Sequence, residues 1–212
     1  PMSLSDAQKI RLQQEINNQN AARDYGYDVD KLNLQYGLKA DATNSAGTTG
    51  SSKSGKGPSI SALDPSLASV STADVMPFLF GAESKGQHRQ PNGQLTTSPK
   101  GAQGVGQLMP ATQADAGYGV RPPRDNSEAE NKRFSTEYLQ AMRNQFKGRP
   151  DELALGLASY NAGIGNVQKA LAKQDKQGGH WSQYVPKPQE TVPYVEEIMA
   201  GLSSNQARAI NQ

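Results

Sequence analysis

The chain is 212 residues long, with 34% hydrophobic residues and a mean hydropathy of −0.73, so one core of ordinary size leaves polar length over. A net charge of +2 from 22 basic and 20 acidic residues excludes the strongly basic balance of a nucleic-acid binder. Without cysteine there are no disulfides or thiolate metal sites, and His88 and His180 lie far apart with no ligand cluster. Neither a metal nor a cofactor is therefore expected, and no apolar run reaches the length of a membrane span.

In chain order, residues 1–40 read as an attachment arm. Residues 4–22 are rich in Gln, Asn, Lys and Arg, with Leu4, Ile10 and Ile16 as sparse apolar positions; Tyr25 to Tyr36 alternates in a way that fits strand or short helix. Residues 41–70 have linker composition, including Gly47-Thr-Thr-Gly-Ser-Ser-Lys-Ser-Gly-Lys56, whose spacing fails as a phosphate loop. Residues 71–212 carry the helical patterns of a domain. Asp74 is the expected cap of the first helix, with Pro77 in its first turn and Val75, Leu79 and Phe80 as its apolar stripe. Ser127-Glu-Ala-Glu130 has the form of a capping box. The helix that follows places Phe134, Tyr138, Met142 and Phe146 in one stripe and is expected to end at Gly148. Asp151 opens a segment through Tyr160 that is apolar on nearly every side, the pattern of a central helix. Thr191 is the expected cap of a last helix bearing Tyr194, Val195, Ile198, Met199 and Leu202, with Pro193 in its first turn. No alternating run is strong enough for a sheet, so the class is all-α.

Glu83 carries the chemistry. It lies four residues after Leu79 and three after Phe80, which puts a carboxyl group on the apolar face of its helix. Loss of hydration there disfavours the charged form and raises the pKa, as a general acid near neutral pH requires. A helix-end glutamate that bends out to water is the alternative. Most glycosidases pair such an acid with a second carboxylate. No Asp or Glu occurs between Glu83 and Asp115, although Asp125, Glu128, Glu130 or Glu190 could fold nearby.

Four blocks follow one another: Glu83-Ser84; Ser98-Pro-Lys-Gly-Ala-Gln-Gly-Val-Gly-Gln-Leu-Met-Pro-Ala-Thr112; Ala158-Ser-Tyr-Asn-Ala-Gly163; and Glu190-Thr-Val-Pro-Tyr-Val195. In this order they resemble the soluble lytic transglycosylase catalytic domain, which is related to goose-type lysozyme, over roughly Thr72 to Leu202. The family usually has methionine before the glutamine, where this chain has Gly106; its loss predicts a roomier groove. The stretch between Ser84 and Ser98 is longer than in the best-known bacterial members and is similar to variants seen in phage proteins.

The resemblance implies a lysozyme-like fold that cleaves the bond between N-acetylmuramic acid and N-acetylglucosamine, leaving a 1,6-anhydro end, with Glu83 making both proton transfers. It implies that Ser98 and Gln107 line the saccharide groove, that Tyr160 and Asn161 face it from the central helix, and that Tyr194 holds the acid. Amide and hydroxyl groups suit sugar recognition. Each has a plainer reading: core packing for the tyrosines, a helix terminator for Asn161-Ala-Gly163, and a turn start for Ser98-Pro99. The expected partner is peptidoglycan. The N-terminus lacks a signal-peptide pattern, so delivery to the periplasm by a phage virion or secretion machine, docked through residues 1–40, is the expectation; a signal removed beforehand is the alternative. Hydrolysis by a goose-type lysozyme and a non-catalytic wall-binding or structural virion role are the rival functions.

Overall fold

The computed structural model describes Leu67 and residues 69–210; the attachment arm and nearly all of the linker lie outside them. The described chain is helical: α1 (Thr72–Ser84), α2 (Pro110–Ala114), α3 (Glu128–Asn144), α4 (Glu152–Ala162), α5 (Ile164–Gln177), a 3₁₀ turn (Trp181–Gln183) and α6 (Pro188–Ile210). Extended pairing among the described residues is limited to isolated bridges, Arg89 to Leu95, Thr97 to Gln103 and Gln103 to Leu108. The all-α, lysozyme-like class of the sequence reading holds.

The centre is α4, buried continuously from Leu153 to Tyr160. It packs against α3, α5 and α6, while α1 packs against α6 and α3. Phe134, Tyr138, Met142 and Phe146 are all buried, as their spacing predicts. Burying so many large side chains in one cluster, Trp181 and Leu155 among them, is what offsets the ordering of this short domain.

Three helix ends differ from the sequence reading. The cap of α1 is Ser71, whose Oγ accepts from the Asp74 N–H, so Asp74 lies in the first turn and Pro77 in the second. α3 stops at Asn144 rather than at Gly148; Phe146 is buried from the turn that follows. α6 begins at Pro188, one turn before Thr191, whose hydroxyl donates instead to Asn161 Oδ1 at 3.0 Å. At the start of α3, Ser127 Oγ accepts from the Glu130 N–H, as a capping box requires. The reciprocal bond is absent: Asp125 takes the Ser127 N–H, and Glu130 turns to Arg124 and Arg133.

Among the described residues, no helix is long and apolar enough to cross a membrane, and no three His, Asp or Glu side chains converge to hold a metal ion.

Candidate active site

Glu83 lies in the last turn of α1, one turn past the buried Leu79 and Phe80, and is itself half-buried. The helix then closes with Lys85 in the left-handed region, where the Lys85 N–H bonds the Gly81 carbonyl and the Gly86 N–H bonds that of Phe80. Burial pushes the Glu83 carboxyl up to about 7, and the nearby Tyr194 hydroxyl partly opposes this. A helix C-terminus is also the unfavourable end for negative charge.

Tyr194, on α6, faces the acid closely enough to lower its pKa, yet its buried hydroxyl makes no bond that meets hydrogen-bond geometry. Tyr160, at the end of α4, is electrostatically coupled to Glu83 as well; burial and then the Glu83 charge hold its own pKa well above the usual phenol value. The Tyr160 hydroxyl donates to the Gly106 carbonyl at 2.8 Å. Three of the six expected residues, Glu83, Tyr160 and Tyr194, are therefore brought together from α1, α4 and α6.

Of the other three, Ser98 and Gln107 lie in the loop of residues 98–108 and Asn161 follows Tyr160 on α4; their hydrogen bonds run to other groups than Glu83. Ser84 Oγ donates to the Val105 carbonyl at 2.9 Å, which ties the residue beside the acid to the loop of residues 98–108. In that loop the Ser98 hydroxyl accepts from the Ala102 N–H at 3.0 Å, so it shapes a turn, as the plainer reading has it. Gln107 has a left-handed backbone (φ 46), and its amide nitrogen donates to the Thr96 and Gly104 carbonyls at 3.1 and 2.7 Å. Its Oε1 remains as the group to offer a ligand. Asn161 is exposed, with Oδ1 accepting from Thr191 and Nδ2 free to face a ligand.

Two further residues position this loop and were not singled out from sequence. Asn131, buried on α3, accepts the Gly106 N–H at 3.0 Å, and a Cβ on Gly104 (φ 75) would meet its amide at 2.7 Å. His88, also buried, accepts the Val105 N–H on Nδ1 at 3.3 Å, which leaves Nε2–H to donate to the Asn126 carbonyl at 3.0 Å. Asn131 carried a signal: it shares the helix face of Phe134 and Tyr138, where a polar residue needs a partner. Nothing in the sequence around His88 pointed to Val105.

The expectation of a roomier groove at Gly106 is overturned. Gly106 is buried, and the place where its side chain would stand is filled by the Ser135 hydroxyl, with the Tyr160 hydroxyl 2.8 Å away.

The four acids that the sequence left open as a second carboxylate are each bonded elsewhere. Glu130 lies between Arg124 and Arg133, which hold its carboxyl well below the usual range. Glu128 pairs with Lys132 at 2.6 Å, Glu190 with Lys187 at 2.9 Å, and Asp125 accepts the Ser127 N–H. Among the described residues, none of these four is left as a partner for Glu83, whose carboxyl, raised to about 7 and set beside the Tyr194 and Tyr160 hydroxyls, can donate a proton and take it back.

A family model described as the transglycosylase SLT domain matches residues 72–182, from the first residue of α1 to the 3₁₀ turn. Tyr194 and Thr191 lie beyond that match. Two relatives are 32% identical over 111 residues: membrane-bound lytic murein transglycosylase D of Escherichia coli strain K12 and that of Escherichia coli O6:H1 strain CFT073. The similarity covers 49% of this chain but only 23% of the length of each relative.

Proposed function

The chain belongs to the transglycosylase SLT domain family, and from that premise we propose that it is a peptidoglycan lytic transglycosylase with Glu83 as its acid and base. The observation that carries the reading is the Glu83 carboxyl, raised to about 7 by burial at the end of α1 and set beside Tyr194 and Tyr160, while Glu128, Glu130 and Glu190 are each held in ion pairs elsewhere. The protonated carboxyl gives its proton to the bridging oxygen as the bond from muramic C1 to that oxygen breaks. The carboxylate so formed takes the proton of the muramic C6 hydroxyl while that oxygen closes on C1. The acid is thereby regenerated, no water is consumed, and the product ends in a 1,6-anhydro ring. The muramyl N-acetyl group assists at C1 by the same resemblance, in keeping with substrate-assisted exceptions to the two-carboxylate rule. Gln107 Oε1, Asn161 Nδ2 and the Tyr194 hydroxyl are the polar atoms assigned to the glycan and the acid.

The finer part of the proposal concerns delivery. The long polar loop between Ser84 and Ser98, similar to variants in phage proteins, supports carriage by a virion or secretion assembly to the periplasm, with residues 1–40 as the docking arm. Deleting residues 1–57 would then leave activity in a soluble assay intact, and a collapse would refute the docking role.

The decisive experiment is mass spectrometry of products from purified sacculi, wild type against Glu83→Gln. Products with 1,6-anhydro-muramic ends that vanish in the variant are expected. Reducing ends would make the protein a lysozyme, and no products from either would favour a structural role.

A further inference from the structure

Gly106 is buried with both backbone polar atoms engaged, its N–H with Asn131 and its carbonyl with Tyr160. Its φ lies outside the left-handed region, so backbone conformation does not demand glycine. Space does. A Cβ at this position would overlap the Ser135 hydroxyl outright and would stand 2.8 Å from the Tyr160 oxygen. Ser135 comes from the middle of α3, is 0% exposed, and its hydroxyl makes no hydrogen bond of good geometry. A buried hydroxyl left so is costly, and alanine would supply the same Cβ without it. The hydroxyl therefore needs a reason, and the neighbour it acts on is Tyr160, whose phenol it draws downward against the effect of burial.

We propose that Ser135 is a positioning residue of the active site. With Gly106 it forms one space-filling pair, in which the serine hydroxyl fills the place where a side chain at 106 would stand and holds the Tyr160 hydroxyl on the Gly106 carbonyl beside Glu83. The glycine and the serine are then interdependent, and a side chain at 106 is tolerated only when the one at 135 is removed. The kinetic consequence rests on the transglycosylase reading; the packing consequence does not.

The test uses the full chain and a soluble peptidoglycan oligosaccharide, with kcat, KM and melting temperature measured for Ser135→Ala, Gly106→Ala and the double variant Gly106→Ala/Ser135→Gly. Gly106→Ala is expected to lose more than about tenfold in kcat and to melt lower, because two hydroxyls must move to admit one methyl group. The added Ser135→Gly is expected to recover most of both losses, as coupled neighbours do. Ser135→Ala should melt no lower than wild type, since it sheds an unbonded hydroxyl, yet lose several-fold in kcat at unchanged KM. Wild-type kcat in Ser135→Ala would overturn the positioning role. Failure of Ser135→Gly to rescue Gly106→Ala would overturn the pairing. If the wild type cleaves no glycan, the functional reading falls while the melting temperatures still decide the pair: rescue supports it and absence of rescue overturns it.

Discussion

Replacing Glu83 by glutamine should make the protein more stable at alkaline pH, and by an amount the structure sets. Burial raises its carboxyl to about 7 in the folded chain, against the ordinary glutamate value of 4.5. Below the lower value the group is neutral in both states and contributes no difference. Between the two the unfolded chain ionises first, so folding stability falls as pH rises by about 1.4 kcal/mol per pH unit. Above the folded value the penalty is complete, at about 3 kcal/mol for full burial and about 2 kcal/mol once partial exposure of the side chain is allowed for. Glu83→Gln keeps the shape and removes the titration, so the variant should match wild type near pH 4 and exceed it near pH 8. For a domain of this size, that corresponds to roughly 6–10 °C in melting temperature. Thermal melts of both proteins across pH are the assay, and every other titrating group cancels in the comparison. A stability gap of the same size at both pH values would refute burial as the cause of the raised pKa.

Other substitutions separate the contacts around this group. Tyr194→Phe removes the hydroxyl that partly lowers the Glu83 pKa, so the alkaline limb of kcat/KM against pH should move upward, and the variant should melt lower than wild type only above about pH 7, where Glu83 is charged. Asn131→Ala strips the buried Gly106 N–H of its acceptor and should cost about 1–3 kcal/mol in urea unfolding, with faster exchange of that amide. Trp181→Phe removes the 3.0 Å bond from Nε1 to the buried Asp151 and should cost about 1–2 kcal/mol in urea unfolding.

The apolar stripe of α1 was legible because it is local: Val75, Leu79 and Phe80 are buried at helical spacing, and Glu83 continues their face. The helix starts were less so, each for a physical reason. Ser71 and Asp74 are both good caps, and the nearer one to the stripe is not the one used. Thr191 has the chemistry of a cap, but α6 already begins with proline at its first position, and tertiary contact with Asn161 occupies the hydroxyl. Phe146 keeps the four-residue spacing of α3 after the helix has ended, so burial periodicity overran the hydrogen-bonded helix. The residues that shape the loop were hardest to read. His88 reaches Val105 across 17 positions, Asn131 reaches Gly106 across 25, and Ser135 meets Gly106 only through the fold. Glycine before the glutamine looked like lost volume because sequence shows what a position lacks and not what fills it.

A single carboxyl that must both give and recover a proton works best when neither form dominates at the working pH. Here that balance comes from two opposed contributions on different elements. The apolar face of α1 raises the Glu83 pKa by removing water, and Tyr194 on α6 holds it back. Without the hydroxyl the group would titrate higher, and without the burial it would be an ordinary carboxylate. α1 packs against α6, so the same helix pair that buries Glu83 also brings Tyr194 to it. On the proposed reading, substitutions that loosen this helix pair would shift the pH profile before they unfold the domain. Val195→Ala is the sharpest case: it leaves Tyr194 intact but opens a cavity at a fully buried α6 position, costing about 1–3 kcal/mol. It should move the alkaline midpoint while the protein stays folded, and an unmoved profile in a measurably destabilised variant would refute the link between packing and proton balance.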